Sequence, residues 1–182
     1  LTTAEDRQRL DLGVKLDVWA SQDIRMQTHR ILRRWPHNRA WHDQVGTGYA
    51  AWMASAINLT AARESLLALL RQCAPGVWYD VRTLLRKIQD DDPFVLRPNQ
   101  RFNGNGGFKV VDDVRAHWDD TDAEVLIGML KSTPYELGIV ALGYDAETLP
   151  ATRAERNPDA ICLTELGLEV LKGDLGLAQT PT

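Results

Sequence analysis

A chain of 182 residues, 44% hydrophobic and 25% charged, carries enough apolar material for a core and lies outside the low-hydropathy range of disordered chains. Its 21 Lys and Arg against 25 Asp and Glu leave a net charge of -4. No apolar stretch reaches the roughly 20 residues of a membrane helix, so a helical membrane protein is excluded and one domain or two small ones are expected.

The chain opens on Leu1 with Glu5 and Asp6 close behind, a start without a signal peptide. It suggests a trimmed or partly ordered chain with room for other domains in its flanks, and the chain's two cysteines suggest a cytoplasmic protein. Thr3 is placed to cap a first helix carrying Leu10, Val14 and Val18 on one side. Ser21 is expected to cap a second, which ends at "WPHN", where Pro36 forbids continuation. A third helical run from Arg39 sets Trp41, Val45, Trp52 and Ala56 near one stripe, weakened by Gly46 and Gly48.

From Thr60, helical spacing links Ala62, Leu66, Leu69, Leu70 and Cys73 up to the stop at Pro75-Gly76. Cys73 and Cys162 stand far apart in apolar surroundings, which predicts reduced core thiols and no disulfide. "VWY" predicts a very short strand. Asp80 then caps a helix with Val81, Leu84, Leu85 and Ile88 inward. The stretch from Asp90 to His117 has too little periodicity for a helix and is expected to be a long loop with room for one hairpin.

Thr121 and Glu124 form a T-x-x-E capping box ahead of Leu126, Ile127 and Leu130, and Thr133-Pro134-Tyr135-Glu136 forms a second. Gly138 stops that helix after about one turn. "IVALGY" predicts a strand, residues 145–159 a polar loop, and "AICL" the returning strand of a hairpin. Thr164 caps the closing helix, with Leu166, Val170 and Leu171 inward. Gly167 is costly inside a helix unless something packs close against it, and the strand beneath is the expected neighbour.

The order of helix, short strand, helix, helix and hairpin, closed by "ICLTELGLEVL" after "ELGIVALGY", resembles the winged helix-turn-helix family over about residues 60–172. There an apolar residue followed by x-Leu-Thr-x-x-Gly closes the wing. "VWYDVRTLLRKI", Trp118 and "YELGIVALGYD" with "ICLTELG" are also similar to winged-helix segments of bacterial helicase-associated proteins. The resemblance implies a mainly helical α+β chain in three parts. These are an N-terminal three-helix segment over 1–59, a winged helix over 60–173 with an insertion at about 92–117, and a flexible tail over 174–182.

The family commonly reads DNA with a basic helix in the major groove. Here the helix in that position, Asp122 to Lys131, is almost wholly apolar or acidic, which predicts a buried helix. Residues 1–117 hold 17 Lys and Arg against 13 Asp and Glu, whereas residues 118–182 hold 4 against 12. A polyanion is therefore expected to prefer the first two thirds of the chain.

Within that part, "SQDIRMQTHRILRRW" gathers Ile24, Thr28, Ile31, Leu32 and Trp35 on one side at 100° per residue. Arg25, His29, Arg30, Arg33 and Arg34 spread over the other, with Arg39 just beyond. One sign of charge on one face predicts contact with phosphates or with an acidic protein partner; an ordinary solvated face is the competing account. Arg82, Arg86 and Lys87 are secondary candidates, set against pairing with Asp90. Arg153 and Arg156 are wing candidates, offset by Glu147, Glu155 and Asp159.

Of six Trp residues, Trp35 and Trp52 fall on inner stripes and are expected in the core. Trp41, in "RRWPHNRAWH", competes between packing and stacking on unpaired bases. His29, His37 and His42 lack partners at zinc-ligand spacing, and "NGNGG" lacks the ending of a phosphate loop. No nucleophile motif occurs, and no cofactor or metal is expected. The expected function is non-catalytic binding: a nucleic-acid-associated module using the Arg25–Arg39 surface, or a protein–protein adaptor docking through the winged helix.

Overall fold

The computed structural model describes residues 13–38, 40, 41, 43, 57–98, 118, 119, 121–145 and 156–173. The expected Thr3 cap, the helical run over 44–56, most of the 92–117 insertion, Arg39, Arg153 and the 174–182 tail lie outside them. The described residues form a mixed helix and strand (α+β) structure with a three-stranded antiparallel sheet. No helix among them is long and apolar enough to cross a membrane.

Helix α1 spans Gly13–Ala20 and α2 spans Ile24–Arg34. The cap of α2 is Asp23, not Ser21: its carboxylate accepts the Arg25 backbone N–H at 2.8 Å. Ser21 instead donates its hydroxyl to the Val18 carbonyl at 3.0 Å, closing the end of α1. A carboxylate two residues nearer the helix reaches the free N–H groups better than the hydroxyl does. Thr28, Leu32 and Trp35 are buried as the spacing predicts, but Ile24 and Val18 are 64% and 54% exposed. Both lie at the α1–α2 corner, where no further element covers them among the described residues. Pro36 sits in a 3₁₀ turn, Trp35–His37, that ends the run.

Helix α3 spans Leu59–Leu70, capped by Asn58 through the Ala61 N–H at 3.1 Å. It buries Ala62, Leu66, Leu67, Leu69 and Leu70. Cys73 is buried just beyond the helix, and both cysteines are free thiols. Gly76, at φ +73°, turns the chain into β1, Trp78–Asp80. Asp80 caps α4, Val81–Asp91, by accepting the Thr83 N–H at 2.7 Å, and Val81, Leu84, Leu85 and Ile88 face inward. The helix thus runs one residue past the expected loop start at Asp90. Residues 92–98 make tight turns that bury Phe94 and Leu96.

Helix α5, Asp122–Lys131, is the centre of the core, with eight residues buried. Thr121 precedes it, but its side chain makes no capping bond. The expected capping box does not form, because Glu124 is drawn away to Arg82 and Asn157. The one-turn helix α6, Thr133–Glu136, likewise lacks a side-chain cap, and Thr133 is wholly buried. Gly138, at φ +68°, ends it.

Strands β2, Val140–Gly143, and β3, Ala160–Leu163, form the expected hairpin, with Val140 opposite Leu163 and Gly143 opposite Ala160. In addition β1 pairs with β3, Trp78 opposite Cys162, so the sheet order is β1-β3-β2 with β3 in the middle. The closing helix α7, Glu165–Lys172, is capped by Thr164, which accepts the Gly167 N–H at 2.9 Å. The same hydroxyl donates to the Gly138 carbonyl at 2.6 Å. A Cβ on Gly167 would stand 2.2 Å from the Ile139 carbonyl oxygen and 2.9 Å from a Leu163 methyl. The close neighbour is therefore the chain entering β2, and only glycine lets α7 sit that low on the sheet.

Candidate functional site

Helix α2 lies across α7, and two of its expected binding residues hold that contact. Arg25 pairs with Asp23 at 3.0 Å and with Glu169 of α7 at 3.4 Å. These bonds, to Asp23 first, raise its guanidinium further above its ordinary value and hold the Asp23 carboxyl below its own. The Nδ1 of His29 lies 3.0 Å from the Val170 carbonyl oxygen. A carbonyl only accepts, so Nδ1 donates to it. A donor placed on the last-turn carbonyls also suits the negative end of α7.

Arg30, Arg33 and Arg34 make no bond across this contact. All three are exposed, and among the described residues none is paired with a carboxylate. The other arginines have different fates. Arg82 donates to Glu124 at 2.7 Å and to the Asp119 carbonyl at 3.0 Å, and Arg86 meets the Asp119 carboxylate at 3.1 Å. Both bind α4 to α5 and its entry, and neither uses Asp90. Lys87 is exposed beside them. Arg156 closes the base of the β2–β3 loop: it reaches Asp159 at 2.7 Å and the Asp145 carbonyl at 2.9 Å, and lies over Tyr144. Lys131 adds a bond to the Arg156 carbonyl at 2.9 Å.

The strongest polar node went unseen in the sequence. Arg63 of α3 and Asp43 each have side chains 1% exposed, and they meet at 2.7 and 2.9 Å. The remaining guanidinium hydrogens go to the carbonyls of Trp35, Asn38 and Trp41 at 2.8–3.0 Å. Asp43 also accepts the Trp35 indole N–H at 2.9 Å, while Arg63 stacks 5.5 Å from that ring. All five guanidinium donors are satisfied, which is what a buried arginine requires. Trp41 is half-buried against the core at this node, so it packs. The only hint was an Arg inside an otherwise apolar helical stripe. A second buried acid, Asp122, pairs with Arg97; burial pushes its carboxyl up, and Arg97 opposes that.

Between α2, α3 and α7 lies a cleft of about 270 Å³, rimmed by basic side chains that include His29 and Arg33. Among the described residues no group of three or more His, Cys, Asp or Glu converges as a metal site. No family model, curated protein or solved structure matches the chain.

Proposed function

We propose that residues 60–173 are a winged helix with an insertion at about 92–117, and that the chain is a non-catalytic, nucleic-acid-associated module gripping phosphates with the outer face of α2. The fold reading is supported by the order α3-β1-α4-α5-β2-β3-α7 and by the Thr164–Gly167 closure. The observation that carries the function is the sorting of the arginines. Arg63, Arg82, Arg86, Arg97 and Arg156 are all bound internally, whereas Arg30, Arg33 and Arg34 stand exposed within little more than one turn.

Burial of α5 removes the helix that would otherwise enter a major groove. Contact through α2 is then to the backbone, without base reading, and tolerates both duplex and single strands. The test is fluorescence anisotropy of labelled duplex and single-stranded DNA across a salt series. Three phosphate contacts predict a log–log slope of about −2.7 on duplex, at about −0.9 per contact. An absent signal at low salt removes the reading. In that event the exposure of Val18 and Ile24 beside the arginines favours the second reading, an adaptor that docks an acidic, apolar protein segment.

A further inference from the structure

The cleft between α2, α3 and α7 has a chemistry of its own and shares only Arg33 with the outer face of α2. Its floor is apolar, with Leu32 and Leu67 both 4% exposed. Arg33 and Arg71 stand on its rim, and His29 lines it. Arg71 uses its Nε on the Leu171 carbonyl at 3.3 Å, and among the described residues its terminal nitrogens have no partner. The one acid at the cleft is Glu64, which already lies 3.7 Å from His37. Two guanidiniums over an apolar floor are complementary to an anion with a hydrophobic body. At about 270 Å³, the space sits just below the roughly 300 Å³ where drug-sized sites begin, which suits a single ring or a short chain.

We propose that this cleft is a binding site for a small organic anion, a carboxylate or phosphate monoester held by Arg33 and Arg71 with its apolar body on Leu32 and Leu67. The charged group accepts there from the terminal nitrogens of the two guanidiniums. His29, bonded to the Val170 carbonyl, lines the site beside them. Nucleic-acid binding is not a premise of this site: Arg71 belongs to it alone, and Arg30 and Arg34 belong to the outer face alone.

The probes are phenyl phosphate and phenylacetate, with benzyl alcohol and inorganic phosphate as partial ligands, titrated into the isotope-labelled chain and read by amide chemical shifts. Saturable shifts at Leu67 and Leu171 with either anionic ring are expected, and whichever binds names the anion. Benzyl alcohol and inorganic phosphate should each bind about tenfold more weakly, the loss of one half of the contacts. Arg33→Gln and Arg71→Gln should each weaken the anionic probe by about tenfold, while Arg30→Glu leaves it unchanged. The exposed Arg33 variant keeps the test decisive if loss of the Leu171 bond unfolds the Arg71 variant. No shift at the cleft amides, equal binding of benzyl alcohol, or full binding by the Arg33 variant overturns the site. Probe binding without DNA binding leaves the cleft standing, and DNA binding without probe binding removes the cleft alone.

Discussion

Gly167 shows how a single residue records a tertiary contact. In an open helix, replacing Gly with Ala stabilises by up to about 1 kcal/mol. Here the new methyl would stand 2.2 Å from a backbone oxygen, and backbone cannot rotate aside. Gly167→Ala is therefore expected to destabilise by about 1–3 kcal/mol, the usual cost of overpacking, as read by a shifted denaturant midpoint. A gain in stability would show that α7 sits higher on the sheet. That glycine was legible in advance because its cost in a helix is local and its remedy has to be close by. The Arg63–Asp43 pair was not, since 20 positions separate partners that only the fold brings together. Asp43→Ala should cost about 3–5 kcal/mol by stranding a buried guanidinium. Thermal melts of Asp43→Ala and of the double variant Asp43→Leu/Arg63→Met should show the double variant losing less than the single one.

Elements were legible where the signal was local. Helix α4 has a 3.6-residue stripe and an Asp immediately before it, and both function as read. The two capping boxes failed because a box is only an offer to the backbone, and Glu124 found Arg82 and Asn157 instead. Strand β1 lacks enough length for any periodicity, so its partner β3, which follows only after α4, α5, α6 and β2, could not be inferred. The caps also set the acid response. The Thr83 hydrogen bonds, with Arg86 and Arg82 nearby, hold the Asp80 carboxyl below its ordinary value. Its contribution is thus present above the unfolded value near 3.9 and is lost as pH falls through the lower folded value. Asp122 runs the other way: its carboxyl is raised by burial, so its contribution is full in acid and is lost as pH rises through the folded value. Asp80→Asn keeps a competent cap and should flatten the acid limb of the stability–pH curve. Asp122→Asn should instead reduce the loss of stability on going from acid to neutral pH. Parallel curves for wild type and Asp80→Asn in urea melts would contradict the assignment.

At the scale of the whole molecule, the excess of basic residues before position 118 and of acidic residues after it was plain in the sequence, but its meaning was not. Much of it is internal: Arg82 and Arg86 on α4 answer Glu124 and Asp119 at the entry to α5, and Arg25 on α2 answers Glu169 on α7. These pairs are half exposed, so each contributes little stability by itself; they hold the register between segments. Among the described residues the densest group of basic side chains left without a carboxylate is Arg30, Arg33 and Arg34, and the account stands on it. Arg25 is a poor target for testing that idea, because reversing its charge would repel Glu169 and lift α2 from α7. The direct measurement compares DNA affinity and salt slope for wild type, for Arg30→Glu/Arg33→Glu/Arg34→Glu, and for Arg82→Glu/Arg86→Glu. The account predicts that the α2 triple variant loses binding and its salt dependence, while the α4 variant, if folded, retains both. Full binding by the triple variant, or loss confined to the folded α4 variant, would contradict it.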